Sequence, residues 1–137
     1  MKFFALIILP TDINPLDTDS VEAAAAEMMR PFNMGEDDTP IENARWDYYW
    51  CCTKEWMDQS QLSYSAYAGI PEAQPLVVFP VDQLTAEGIT YSVLTPDGDW
   101  HRSKATYEKE DPSWEAEALR ICRSYGGHFA VLAYCHG

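Results

Sequence analysis

The sequence predicts an α+β fold, and three observations carry the prediction. Apolar runs of strand length stand at both ends of the chain, residues 3–9 and 128–134. Two stretches repeat their apolar residues at helical spacing: Val21, Ala24, Ala25, Met28 and Phe32, then Trp114, Ala118, Ile121, Cys122 and Tyr125. Between them, residues 46–52 alternate in strand fashion and Pro96-Asp97-Gly98-Asp99 marks a hairpin turn. The chain has 137 residues, 47% of them hydrophobic and 23% charged, which gives a single globular domain over 1–137.

Residues 3–9 are continuously apolar, as in a strand covered on both faces. A lysine before this run resembles the start of a secretion signal. The run is short, however, and is followed by Pro10, Asp12 and Asn14 instead of small residues, so a buried strand is the reading. Residues 11–18 form a loop. Asp19 is the expected N-cap of the first helix, with Glu22 completing a capping box, and Pro31 ends that helix near Arg30. Residues 35–43 are acidic loop. In the strand at 46–52, Trp46, Tyr48, Trp50 and Cys52 share one face; Asp47, Tyr49 and Cys51 share the other.

Residues 53–88 read as an insertion. It holds a short helix or irregular segment over 55–67, a short edge strand at 76–79 between Pro75 and Pro80, and a helical turn ended by Gly88. Residues 89–95 and 100–107 are the arms of the hairpin. Asp111 and Pro112 open the second helix as N-cap and N1, and Gly126-Gly127 stop it. Without the insertion and one hairpin arm, the order is βαββαβ. That is the ferredoxin-like arrangement, an antiparallel sheet with both helices on one face.

The charge is unusual: 9 Lys and Arg against 22 Asp and Glu, a net −13. A direct nucleic-acid binder needs cations for the phosphates, and an anionic membrane attracts basic segments, so both partners are disfavoured. The excess is also segregated. Residues 11–44 carry nine acids and one base, residues 55–101 seven acids and no base, and residues 102–123 five of each. A charged surface of this kind serves solubility. Held on a rigid fold, it also imitates a polyanion and steers association with a basic partner. The candidate partner-binding residues are Asp19, Glu22, Glu27, Glu36, Asp37, Asp38 and Glu42, with Glu55, Trp56, Asp58, Tyr64 and Tyr67 from the insertion. Tyr and Trp are favoured interface anchors.

Motifs for catalysis or metal binding are sparse. Cys51, Cys52, Cys122, Cys135, His101, His128 and His136 show no C-x-x-C or other zinc spacing, so neither metal nor cofactor is expected. No nucleophile elbow, phosphate loop or dinucleotide fingerprint is present. Asp97 and Asp99 near His101 could orient a general base, but Asp97-Gly98 is also what the turn requires. An alternative function is therefore a small enzyme or ligand-binding domain in which Asp97, His101, Cys135 and His136 converge. A structural or oligomerising module is a further alternative. With no secretion signal and no apolar run long enough for a membrane helix, four reduced thiols in a cytoplasm are expected.

Taken in order, Trp46-Asp47-Tyr48-Tyr49-Trp50, then Thr95-Pro96-Asp97-Gly98-Asp99-Trp100-His101, Trp114 in a late helix and a final strand closing on Cys135-His136 resemble a family of small bacterial and phage-borne proteins. The resemblance covers about two-thirds of the chain. The family's aromatic segment runs into Gly-Gly-Arg-Trp; here Cys51-Cys52-Thr53-Lys54-Glu55-Trp56 takes its place, and Tyr134 stands where the family has an acid before Cys-His. The resemblance implies a mobile-element context and brings no activity with it. The expectation is a non-catalytic acidic protein that inhibits a basic, nucleic-acid-binding host complex, in the manner of an anti-CRISPR protein.

Overall fold

A computed structural model describes all 137 residues. One mixed sheet runs through the molecule. Its first strand, β1 (Lys2–Ile8), is apolar on both sides because both sides are covered. β1 pairs antiparallel with the last strand, β6 (Phe129–His136), and parallel with β4 (Ser92–Leu94). β5 (Trp100–Arg102) pairs antiparallel with β4 at one edge. At the other edge β6 is long enough to take two partners end to end: β3 (Val78–Pro80) on its first half and β2 (Tyr48–Cys51) on its second. The order is β2-β6-β1-β4-β5, with β3 beside β6.

α1 (Thr18–Met29) packs Val21, Ala25 and Met29 on the face that carries Phe3, Ala5 and Ile7. α3 (Trp114–Arg123) packs Trp114, Ala118 and Cys122 on the opposite face, over Leu6, Ile8 and Val93. The short α2 (Lys54–Gln59) adds Met57 to that second core.

The α+β class is as expected, but the ferredoxin-like topology is not. The two long helices lie on opposite faces, β1 and β4 run parallel, and β2 lies beyond β6. The cause lies in β1: with Phe3, Ala5 and Ile7 on one side and Phe4, Leu6 and Ile8 on the other, a sheet with one bare face would leave half of these in water.

Several boundaries also move. The N-cap of α1 is Asp17, whose carboxylate accepts from Ser20 Oγ at 2.8 Å; Asp19 sits in the first turn and forms no capping box. The N-cap of α3 is Ser113, and the Asp111 carboxylate instead accepts from the Lys104 N–H and the Ser113 hydroxyl, both at 2.9 Å. Trp46 precedes β2 and turns to the Tyr49 side, its indole N–H donating to Met29 O at 2.9 Å. The β4–β5 turn is as expected, with Gly98 at φ +90°. Pro31 ends α1 at Met29, followed by a single 3-10 turn.

Candidate functional site

The buried stripe of α1 turns its acidic residues outward, leaving Asp19, Glu22 and Glu27 exposed. Glu36, Asp37, Asp38 and Glu42 are exposed on the loop that follows. A groove of about 610 Å³ opens between the end of β1, α1 and the β4–β5 turn. Asp12, Glu27 and Asp97 line it, over a floor that includes Ile13 and Met28. Beside it lies a concavity of about 360 Å³ lined by Glu36 and Asp38, with Pro31 shared between the two and Arg30 the lone cation. The fold thus brings five carboxylates from four segments to one side of the molecule.

These carboxylates are not neutralised internally. No Lys or Arg nitrogen lies within 4.0 Å of an Asp or Glu carboxylate oxygen; the one ion pair between side chains is His136 with Asp47. Asp97 is held ionised. The Thr95 hydroxyl donates to it, the Asp99 N–H donates at 3.2 Å, and its pKa falls below the ordinary carboxylate value chiefly through the Thr95 bond.

The remaining predicted residues lie on the opposite face. Glu55 and Asp58 are exposed on α2, and Tyr64 is half-buried. Trp56 packs among Phe4, Trp50 and Tyr134, with ring centroids 5.1–6.5 Å apart. Tyr67 belongs to the wall of the core: its hydroxyl donates to Gly88 O at 2.9 Å, its ring lies against Phe79, and burial raises its pKa. The predicted set is therefore two surfaces, one acidic over α1 and one mixed acidic and aromatic around α2.

The aromatic surface extends beyond the residues singled out from sequence. Phe4, Tyr134 and Trp50 form one cross-strand row, and Tyr48 and His136 pair in the next. The His136 and Tyr48 rings stack at 4.9 Å and 2°, and Tyr48 and Trp50 remain 44% and 37% exposed. The Asp47 carboxylate meets His136 Nδ1 at 2.7 Å, and that bond lowers the Asp47 pKa. Asp12, the place of Tyr134 and His136 in the aromatic rows, and the role of Asp97 in the groove escaped the sequence reading. Only strand register and loop placement reveal them.

The four residues of the enzyme alternative do not converge. Asp97 and His101 stand near Thr95, whose hydroxyl is 3.4 Å from His101 Nε2. β6 continues through residue 136, so Cys135 is buried under α1 while His136 lies on the other face. Four residues and three strand positions separate His136 from the row of His101, about 20 Å at standard strand spacing and rise. No three His, Cys, Asp or Glu side chains gather in a way that could hold a metal ion. Burial pushes the Cys122 thiol up to about 11 and those of Cys51 and Cys135 up to about 12, and it raises Cys52 further, so none is a thiolate nucleophile near neutral pH.

Comparison with protein-family models, curated proteins and solved structures finds no match to this chain. No helix is long and apolar enough to cross a membrane.

Proposed function

We propose that this chain is a non-catalytic acidic interaction protein that binds a basic partner through the α1 side. The observation that carries this reading is the groove itself. Asp12, Glu27 and Asp97 border it, Glu36 and Asp38 continue it, and Arg30 is the one basic residue among them, with no ion pair to any of the five. Carboxylates fixed on a helix and a hairpin present a negative field without rearrangement, and such a field accelerates and orients encounter with a positive surface. In the mobile-element setting that the resemblance implies, the fitting partner is a nucleic-acid-binding host complex such as a CRISPR effector. The carboxylates would occupy the channel in place of phosphates. The separation of Asp97, His101, Cys135 and His136 argues against the enzyme alternative.

The test is competition. A purified host effector is loaded with labelled DNA and titrated with this protein, and fluorescence anisotropy follows release of the DNA. The reading expects displacement that weakens steeply between low and physiological salt. No displacement from any basic nucleic-acid-binding host complex, with intact folding, would contradict it.

A further inference from the structure

We infer that this acidic protein carries a separate oxyanion site, beside the β5 edge of the sheet, that takes a phosphate group. A cavity of about 300 Å³ lies there, lined by Phe3, Arg45, Ser92, Trp100 and Arg102 among others. Three buried side-chain polar atoms in the molecule have no hydrogen-bond partner: Arg45 Nε, Ser92 Oγ and Trp100 Nε1. All three belong to residues that line this one cavity; the atoms themselves have almost no accessible surface, so a ligand would meet them through small side-chain rotations. Native structures leave few buried polar groups unpaired, so their concentration at one place calls for a reason. Ser92, at 1% exposure, is buried as deeply as the apolar core.

The chemistry of the three atoms agrees. The guanidinium Nε–H and the indole N–H can only donate, and the hydroxyl donates as readily as it accepts. Two cations stand with them. Ser92 and Arg102 are direct cross-strand partners on β4 and β5, and Arg45 reaches the same cavity from the loop before β2. Arg45 Nη1 is already committed to the carbonyls of Glu42 and Ala44, at 2.7 and 3.1 Å, which fixes the guanidinium in place. Neither arginine has a carboxylate within 4.0 Å, although acids outnumber bases 22 to 9. Burial and the like charge of Arg102 together press the Arg45 pKa below the usual arginine value. Two guanidiniums with no Asp or Glu carboxylate within 4.0 Å, together with two neutral donors, the Ser92 hydroxyl and the Trp100 indole N–H, match a doubly charged phosphate group better than a monoanion. The Phe3, Tyr91 and Trp100 rings bordering the cavity would shield it from water. This inference is independent of the acidic face, since the cavity shares no residue with the acidic groove or its neighbouring concavity.

The experiment titrates inorganic phosphate into the protein at constant ionic strength, with acetate and chloride as comparison arms. It follows the Trp100 indole N–H resonance, assigned with W100F. Phosphate is expected to shift that resonance saturably and to raise Tm. R102Q is expected to weaken phosphate binding at least tenfold, whereas R120Q on the surface of α3 leaves it unchanged. S92A is expected to weaken phosphate while leaving the ligand-free protein at least as stable, because it removes a hydroxyl that has no partner. The inference is overturned if the Trp100 resonance does not respond. It is also overturned if acetate or chloride acts as strongly as phosphate, or if R120Q weakens binding as much as R102Q.

Discussion

Replacing Trp114 with Phe tests how α3 is held to the sheet. Trp114 is the first residue of α3 and only 8% exposed, and its indole N–H donates to Thr90 O at 2.8 Å. W114F keeps most of the apolar surface, removes that donor and leaves the buried Thr90 carbonyl unpaired, which costs about 1–2 kcal/mol. The ring also shrinks by about 40 Å³, worth about 1 kcal/mol at about 24 cal/mol per Å³ of cavity. The sum is about 2–3 kcal/mol, and for a chain of 137 residues that lowers Tm by about 7–10 °C. Chemical denaturation and calorimetry measure both quantities. The control is W50F, since Trp50 is 37% exposed and its indole has no hydrogen-bond partner in the fold; it should change stability by less than about 1 kcal/mol. If W114F stays within about 0.5 kcal/mol of the native protein, or W50F costs as much, the anchoring argument is wrong.

Four further outcomes follow from the charge, the aspartates and the thiols. With 22 acids, 9 bases and one histidine–aspartate pair, self-repulsion is uncompensated, so thermal melts should show Tm rising as NaCl goes from low to physiological concentration. The folded-state pKa values of Asp47, Asp97 and Asp111 are depressed. Their stabilisation is present above the unfolded aspartate value of about 3.9 and is lost as pH falls through the folded values, so acid unfolding should begin below about pH 4. T95V should raise the Asp97 pKa toward the ordinary value, read from its carboxyl NMR shift. A thiol reagent at pH 8 should label the native protein slowly, with the half-buried Cys51 first, and should label all four cysteines rapidly after unfolding.

Local structure was legible in the sequence where short-range physics decides it. The period of α1 and α3, the stop at Pro31, the Gly98 turn and the apolar end strands all follow from residue type and spacing. Topology was not, because pairing between distant segments leaves no local mark. The decisive clue was nonetheless present: an unbroken apolar run at residues 3–9 demands cover on both faces, and a ferredoxin-like sheet does not supply it. The capping errors share a cause. Asp17, Asp19, Ser113 and Asp111 all suit a cap, and only the path of the incoming chain selects among them. For the site, Glu27, Glu36 and Asp38 were legible as acidic candidates, but Asp12, the groove role of Asp97 and the grouping were not. Glu27 meets Asp12 and Asp97 only because α1 lies beside the hairpin turn, while Glu55 and Asp58 fall on the far side.

That division between faces gives the account its most direct test. Binding to a basic nucleic-acid-binding complex of the kind proposed is measured across a salt series for the wild type, for E36K/D37K/D38K on the α1 side and for E55K/D58K on α2. At about 0.2–1 kcal/mol for each exposed pair, with repulsion added on reversal, the triple variant should bind at least about tenfold more weakly and with a shallower salt dependence. The double variant should stay near the wild type. Unchanged affinity in the triple variant, or an equal loss in the double one, would contradict a binding face on the α1 side.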